Sequence, residues 1–183
     1  MFGKNTIVRD MEEIKNFKDK KVLIIGMGLS GVAAARLLSD FNADVRITDS
    51  RDELELVENI MQLPEGVTIE TGRHSSVMVD GVDMVVVSPG VSPDNPIVTK
   101  AHEHNIPVIS EIELAYRFTA EISWIAVTGT NGKSTTTTLI DLILRRAGYN
   151  IITGGNIGMP LCGVIKDYHS SNSKEGVDYI VSE

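Results

Sequence analysis

The sequence predicts an α/β fold: a doubly wound parallel sheet, followed by an incomplete second α/β unit built around a phosphate loop. Three observations predict it. Short apolar runs alternate with helix-length stretches from Lys21 to Phe118. A glycine turn, Gly26-Met-Gly28-Leu-Ser-Gly31, stands where the first run gives way to the first helix. A second glycine turn, Gly129-Thr130-Asn131-Gly132, runs into Lys133-Ser134-Thr135 after a new apolar strand.

Residues 1 to 19 are polar with a few apolar positions and read as a short helix or arm on the first unit. Lys21 to Ile25 is a strand, and Val32 to Leu38 a helix of mostly small residues. Asp44 to Asp49 gives the second strand, residues 52 to 61 the second helix, and Val67 to Glu70 a third strand closed by Thr71-Gly72. Val82 to Val87 is the fourth strand, ending in Ser88-Pro89-Gly90. A helix over residues 96 to 105, a strand from Ile106 to Ile109 and a helix from Glu111 to Phe118 complete the unit. The chain divides near Thr119 to Ile122, into domains of residues 1–120 and 121–183. In the second, Ser123 to Val127 is a strand and Lys133 to Ala147 a helix with Gly148 as its C-cap. A strand at Asn150 to Thr153, the loop Gly154 to Gly158, a segment near Leu161 to Tyr168 and a strand from Asp178 to Ser182 follow. Three strands are too few for a parallel sheet covered on both faces, so the chain is expected to stop inside a domain.

A hydrophobic share of 42% with 23% charged residues supplies an ordinary folded core. A net charge of −8 argues against a broad nucleic-acid or membrane-surface footprint, so anion binding should be local and led by the backbone. Cys162 is the lone cysteine and cannot form an internal disulfide. The N-terminus has charges where a signal peptide needs an apolar core, and no long apolar run follows, which reads as a cytoplasmic chain.

The chemistry concentrates in the two glycine turns. Backbone N–H groups of Gly129 to Thr135 can face phosphate oxygens, with a helix presenting its positive end behind them. There Lys133 can reach terminal phosphates and the Ser134 hydroxyl can ligate Mg²⁺. Val127 occupies the place of the usual first glycine, so the loop is a variant. Glu183, ending an apolar strand of the same unit, is a candidate second Mg²⁺ ligand. The earlier turn is a Rossmann-like fingerprint, with Asp49 at the end of the next strand. Either NAD or a UDP-sugar would satisfy it. Loops after parallel strands converge, so Leu29, Ser30, Asp49, Ser50, Gly72 and Ser88-Pro89-Gly90 should line one crevice. His102 and His104 lie on different helix faces and read as surface residues. Glu111 and Glu113 are explained by the helix dipole. The run Thr135 to Thr138 should cap, pack or back-bond, with Thr135 alone near phosphate.

Gly26 to Gly31, Thr48-Asp49-Ser50, Ser88-Pro89-Gly90, Glu111-Ile-Glu-Leu114, Thr128 to Thr135 and Gly155-Asn156-Ile157-Gly158 together resemble the ATP-dependent Mur ligases, over essentially the whole chain. The resemblance implies an N-terminal domain holding a UDP moiety and part of a central ATPase domain. It implies UDP-N-acetylmuramoyl-L-alanine as substrate and D-glutamate as the incoming amino acid, joined in peptidoglycan precursor synthesis with ATP and Mg²⁺ by a monomeric enzyme. Gly28, Leu29 and Ser30 would contact the diphosphate, Asp49 and Ser50 the uracil region, and Gly72 the base, with Ser88, Pro89 and Gly90 alongside. Gly129, Thr130, Asn131, Gly132, Lys133, Ser134 and Thr135 would bind ATP. Ser134 and Glu183 would hold the metal, Asn156 would sit by the muramoyl-alanine, and Lys133, Asn156 and Glu183 would be the catalytic set. The family's carbamylated lysine, later histidine and C-terminal domain have no counterpart before Glu183, so the chain alone is expected not to turn over. Two other readings stay open: an NAD-dependent oxidoreductase domain, against which the second phosphate loop argues, and a noncatalytic UDP-sugar-binding fragment.

Overall fold

A computed structural model describes residues 17–156, 158–171 and 176–183. The arm expected over residues 1 to 19 lies outside them except for its last three residues. Of these Phe17 is buried, its ring stacked on Phe118 at a centroid distance of 4.6 Å.

The first sheet runs in the order β3-β2-β1-β4-β5, every neighbouring pair parallel. Its strands are β1 (Lys21–Ile25), β2 (Asp44–Thr48), β3 (Thr68–Glu70), β4 (Met84–Val87) and β5 (Val108–Ser110). β1 is central and apolar at four successive positions because both of its faces are covered. Its side chains alternate between two cores, as the period of two requires. Val22 and Ile24 join the core under α1 (Leu29–Asp40), α2 (Glu53–Ile60) and α4 (Glu111–Phe118). Leu23 and Ile25 join the core under α3 (Pro96–Glu103) and a 3₁₀ turn at Ser76–Val79.

The second sheet, β6 (Ser123–Ala126), β8 (Tyr179–Ser182) and β7 (Ile151–Gly154), has β8 in the middle and is also parallel. Helix α5 (Lys133–Arg146) follows the phosphate loop and α6 (Leu161–Ser170) follows β7. The residues α6 buries, Leu161, Cys162 and Ile165, share one apolar cluster with Leu37 and Leu38 of α1 and Leu114 and Phe118 of α4. A single core therefore runs from the first sheet to the second.

Element ends differ from the sequence reading where a backbone N–H finds another partner. The fifth strand starts at Val108 rather than Ile106, because Ile106 N–H bonds back to Ala101 O behind the left-handed Asn105 and so closes α3. The fourth starts at Met84 rather than Val82, whose N–H closes the 3₁₀ turn on Val79 O, a turn without a clear sequence signal. Among the described residues no helix is long and apolar enough to cross a membrane.

Candidate functional site

At the carboxyl edge of the first sheet the loops after β1, β2 and β4 enclose a cavity of about 520 Å³. Gly28, Leu29, Ser30, Asp49, Ser50, Ser88, Pro89 and Gly90 all line it, and Asn156 reaches it from the second unit. Gly72 is not among its lining residues. It forms the turn after β3, where its N–H donates to Arg51 O at 2.8 Å. The fingerprint glycines have distinct reasons. A Cβ on Gly31 would lie 1.9 Å from Gly26 O, so this position must stay bare for α1 to start against the turn. No side chain caps α1, which leaves its first N–H groups for an anionic oxygen.

Asp49 holds the floor of this crevice together. Its carboxylate accepts from Met27 N–H at 2.7 Å, from Arg51 N–H at 2.9 Å, and from Arg51 Nε and Nη2 at 3.0 and 2.7 Å. Burial alone would push this acid up, but the bonds from Arg51 and Met27 and the guanidinium charge outweigh it and hold the carboxyl at about 2. What the crevice receives from Asp49 is a fixed glycine turn and a fixed guanidinium.

In the second unit Gly132 caps α5 in a left-handed conformation, which puts Lys133 and Ser134 on the first helical turn. β8 lies between β6 and β7, so Glu183, the residue that follows it, comes out beside the phosphate loop. Ser134 Oγ donates to Glu183 Oε2 at 2.7 Å, and Lys133 Nζ lies 4.0 Å from Glu183 Oε1. A hydroxyl and a carboxylate are hard oxygen donors that suit Mg²⁺, an ion that completes its shell with water and phosphate oxygens. Among the described residues no group of three or more His, Cys, Asp or Glu side chains gathers to hold a metal. Thr137 and Thr138 back-bond to Lys133 O and Ser134 O, as expected of that run.

The loop between β7 and α6 connects the two sites. Asn156 lines the crevice, while its N–H bonds to Glu183 O at 3.4 Å. Gly155 permits this approach, since at φ +114° a Cβ would stand 2.6 Å from the same carbonyl.

Residues 20–110 match the family model of the Mur ligase MurD-like N-terminal domain, and residues 127–183 match that of the Mur ligase middle domain. The chain belongs to the Mur ligase family. It is 42% identical over 164 residues to the UDP-N-acetylmuramoylalanine–D-glutamate ligase of Lactococcus lactis subsp. lactis (strain IL1403), a match covering 89% of this chain and 36% of that protein. It is 44% identical over 144 residues to the ligase of the same name from Koribacter versatilis (strain Ellin345), covering 78% and 32% respectively. The chain thus spans about a third of the length of these curated relatives. Among solved structures, the UDP-N-acetylmuramate:L-alanyl-γ-D-glutamyl-meso-diaminopimelate ligase from Neisseria meningitides shares its fold, with a TM-score of 0.53 at 20% identity, over 90% of this chain and 52% of that one.

Several residues of this Mur ligase chain at the site escape the sequence reading. Arg51, His74 and Asn95 line the crevice. Arg51 directly follows Ser50 and His74 stands two residues beyond Gly72, so the convergence rule that found Asp49 and Ser50 could have reached them had it been carried further along each loop. Asn95 is signalled as the N-cap before Pro96, and its side chain accepts from Ile97 N–H at 2.9 Å. His102 on α3 and His104, the C-cap just after it, are both exposed, as expected. Glu111 corrects the helix-dipole reading: it is 4% exposed, and its carboxylate accepts from Cys162 N–H of α6 at 2.7 Å. Burial pushes this carboxyl up, and the hydrogen bonds with Cys162 oppose that rise.

Proposed function

We propose that this Mur ligase chain carries the UDP-substrate site and the phosphate loop of an enzyme that joins D-glutamate to UDP-N-acetylmuramoyl-L-alanine, a step in peptidoglycan precursor synthesis. The observation that carries the reading is the single loop from Gly154 to Pro160. It places Asn156 on the crevice wall and against the backbone of Glu183, whose carboxylate accepts from the Ser134 hydroxyl. A substrate with its nucleotide in the crevice can extend along this loop and present its far end to the phosphate loop. The names of the curated relatives support this choice of substrate.

In this reading residues 1–120 form the UDP-binding domain and residues 121–183 begin the ATP-binding domain of a monomeric cytoplasmic enzyme. Crevice N–H groups at the start of α1 receive the diphosphate, and Arg51, fixed by Asp49, faces the nucleoside end. Gly129 to Thr135 cradle ATP, and Lys133 neutralises charge on the γ-phosphoryl group as it moves. The L-alanine carboxylate attacks that phosphorus, the bond to the β-phosphate oxygen breaks, and ADP leaves an acyl phosphate. The amine of D-glutamate then attacks the acyl carbon, loses a proton and expels inorganic phosphate. Ser134 and Glu183 are the residues that would hold Mg²⁺, which would supply charge stabilisation to the transferring phosphoryl group. Positioning and charge neutralisation carry such a transfer, which suits a site of backbone N–H groups, one lysine and one metal.

The oxidoreductase reading is not favoured, because the Asp49 oxygens that would meet a ribose already receive four donors. Calorimetric titration of the 183-residue chain with UDP-N-acetylmuramoyl-L-alanine, and separately with NAD⁺, tests the proposal. Binding of the UDP-sugar with silence toward NAD⁺ is expected; binding of NAD⁺ alone overturns it.

A further inference from the structure

We propose that Glu111 is a positioning residue of the ligase site: its buried carboxylate caps α6 and thereby fixes the loop that joins the UDP crevice to the phosphate loop. Helix α6 begins without a side-chain cap from its own N-cap residue. Its N-cap is Pro160, which offers no side-chain hydrogen bond, while Gly163 and Val164 N–H both turn back to Pro160 O. The N–H of Cys162 goes instead to Glu111 Oε1 at 2.7 Å, and Cys162 Sγ lies 3.5 Å from Glu111 O, so two contacts fasten the start of α6 to the start of α4. The negative carboxylate also meets the positive end of the helix.

Both ends of this clamp lead to the site. Glu111 directly follows Ser110, which pairs in register with Val87, and Val87 runs straight into Ser88-Pro89-Gly90 of the crevice wall. Cys162 lies two residues beyond the connecting loop. That loop is tied internally by Gly155 N–H to Met159 O at 3.1 Å, and to the metal-ligand strand by Asn156 N–H to Glu183 O and Glu183 N–H to Gly154 O, both at 3.4 Å. Within the loop, Asn156 is therefore held from the Glu183 side by long backbone bonds, and from the α6 side through Glu111. A leucine at position 111 would fill similar volume without burying a polar group. A carboxylate adds direction, because it accepts one particular N–H and so sets where α6 starts.

The inference rests on the ligase reading for its consequence, though not for its geometry, and the test separates the two. Amide hydrogen exchange across residues 154–164, without ligand, would be followed in the 183-residue chain and in its Glu111→Leu, Glu111→Asp and Glu111→Gln variants. The same proteins would be titrated with UDP and with UDP-N-acetylmuramoyl-L-alanine. Loss of one charge-assisted bond predicts about tenfold faster exchange at Asn156 and Cys162 in the Leu variant, and a fall of about tenfold in the preference for the muramoyl-alanyl ligand over UDP. Affinity for UDP itself stays within about twofold, since the loops after β1, β2 and β4 that would receive the nucleotide are set by the first sheet, and Asn156 is the one lining residue that the second unit contributes. The Asp variant, one methylene short, repeats the loss if the Leu variant does not fold, and Glu111→Gln, whose amide oxygen still accepts, restores most of it. Unchanged exchange at Asn156, or equal losses toward both ligands, would overturn the clamp. A wild-type chain that binds UDP but gains nothing from the muramoyl-alanyl arm would overturn the ligase reading instead, with the exchange comparison still deciding the clamp.

Discussion

Asp49 shows how much one side chain can organise. Its carboxyl is held at about 2, against an ordinary value of 3.8, so its contribution to stability is complete above the ordinary value and is lost as the pH falls toward 2. Asp49→Asn keeps the shape but removes the charge and turns an amide toward Arg51 and Met27 donors. At neutral pH this should cost about 2 kcal/mol. The difference between wild type and variant should shrink as pH is lowered from 4 to 2, which urea unfolding at stepped pH would read. Comparison with the variant isolates this acid from Glu70, Asp80 and Asp141, which are also held low by their partners. A difference that does not vary with pH would exclude the ion pair as its source. Gly31→Ala tests the turn: a methyl 1.9 Å from a carbonyl oxygen forces the backbone apart and should cost about 3 kcal/mol, lowering the urea midpoint and weakening UDP binding together. At this scale the phosphate loop and the fingerprint were legible because their requirements fall within a few adjacent residues. Glu111 was not, because its partner Cys162 lies 51 positions away and an acid in the first turn of a helix already has the dipole as its explanation.

Helix starts decide where the functional loops stand. Ser110 Oγ accepts from Glu113 N–H at 3.1 Å and so begins α4, the helix that supplies Glu111. Ser110→Ala should cost about 1 kcal/mol by thermal or urea unfolding, an ordinary cap effect, and a larger loss would mean that the cap also supports the Glu111 contact. On α6, Cys162 has no exposed surface, and burial together with the Glu111 charge pushes its thiol well up. Folded chain should therefore react with iodoacetamide at less than about a tenth of the rate of unfolded chain at pH 8, as mass spectrometry of the alkylated peptide would show. Rapid labelling would mean that the start of α6 opens readily. Element identity was legible throughout because apolar runs of strand length and stretches of helix length alternate cleanly. Strand starts were less so, since Val82 and Ile106 are apolar residues of high strand propensity whose N–H groups close neighbouring turns instead.

One core joining two sheets implies that they unfold together. The cluster that holds Leu37, Leu38 and Phe118 also holds Ile152, Leu161, Ile165 and Ile180, so the two sheets share the cover of one face. No sequence pattern announces this, because α6 reads as an ordinary helix of the second unit and only packing shows that it lies on α1 and α4. Trp124, the sole tryptophan, sits at the seam: its ring meets Tyr116 edge-on at 5.6 Å, and its indole N–H lies 3.4 Å from Thr119 O. Its fluorescence therefore reports the junction, while far-UV circular dichroism reports both sheets. The two signals should trace one transition in urea with the same midpoint. Ile165→Ala, which opens a cavity in the shared core, should lower both midpoints equally, by about 3 kcal/mol of stability. A tryptophan transition that precedes the dichroism would mean that the second sheet melts by itself. The crevice and the phosphate loop would then lose their fixed spacing before the protein unfolded, and a substrate reaching from one to the other could not be positioned by residues 17–183 alone.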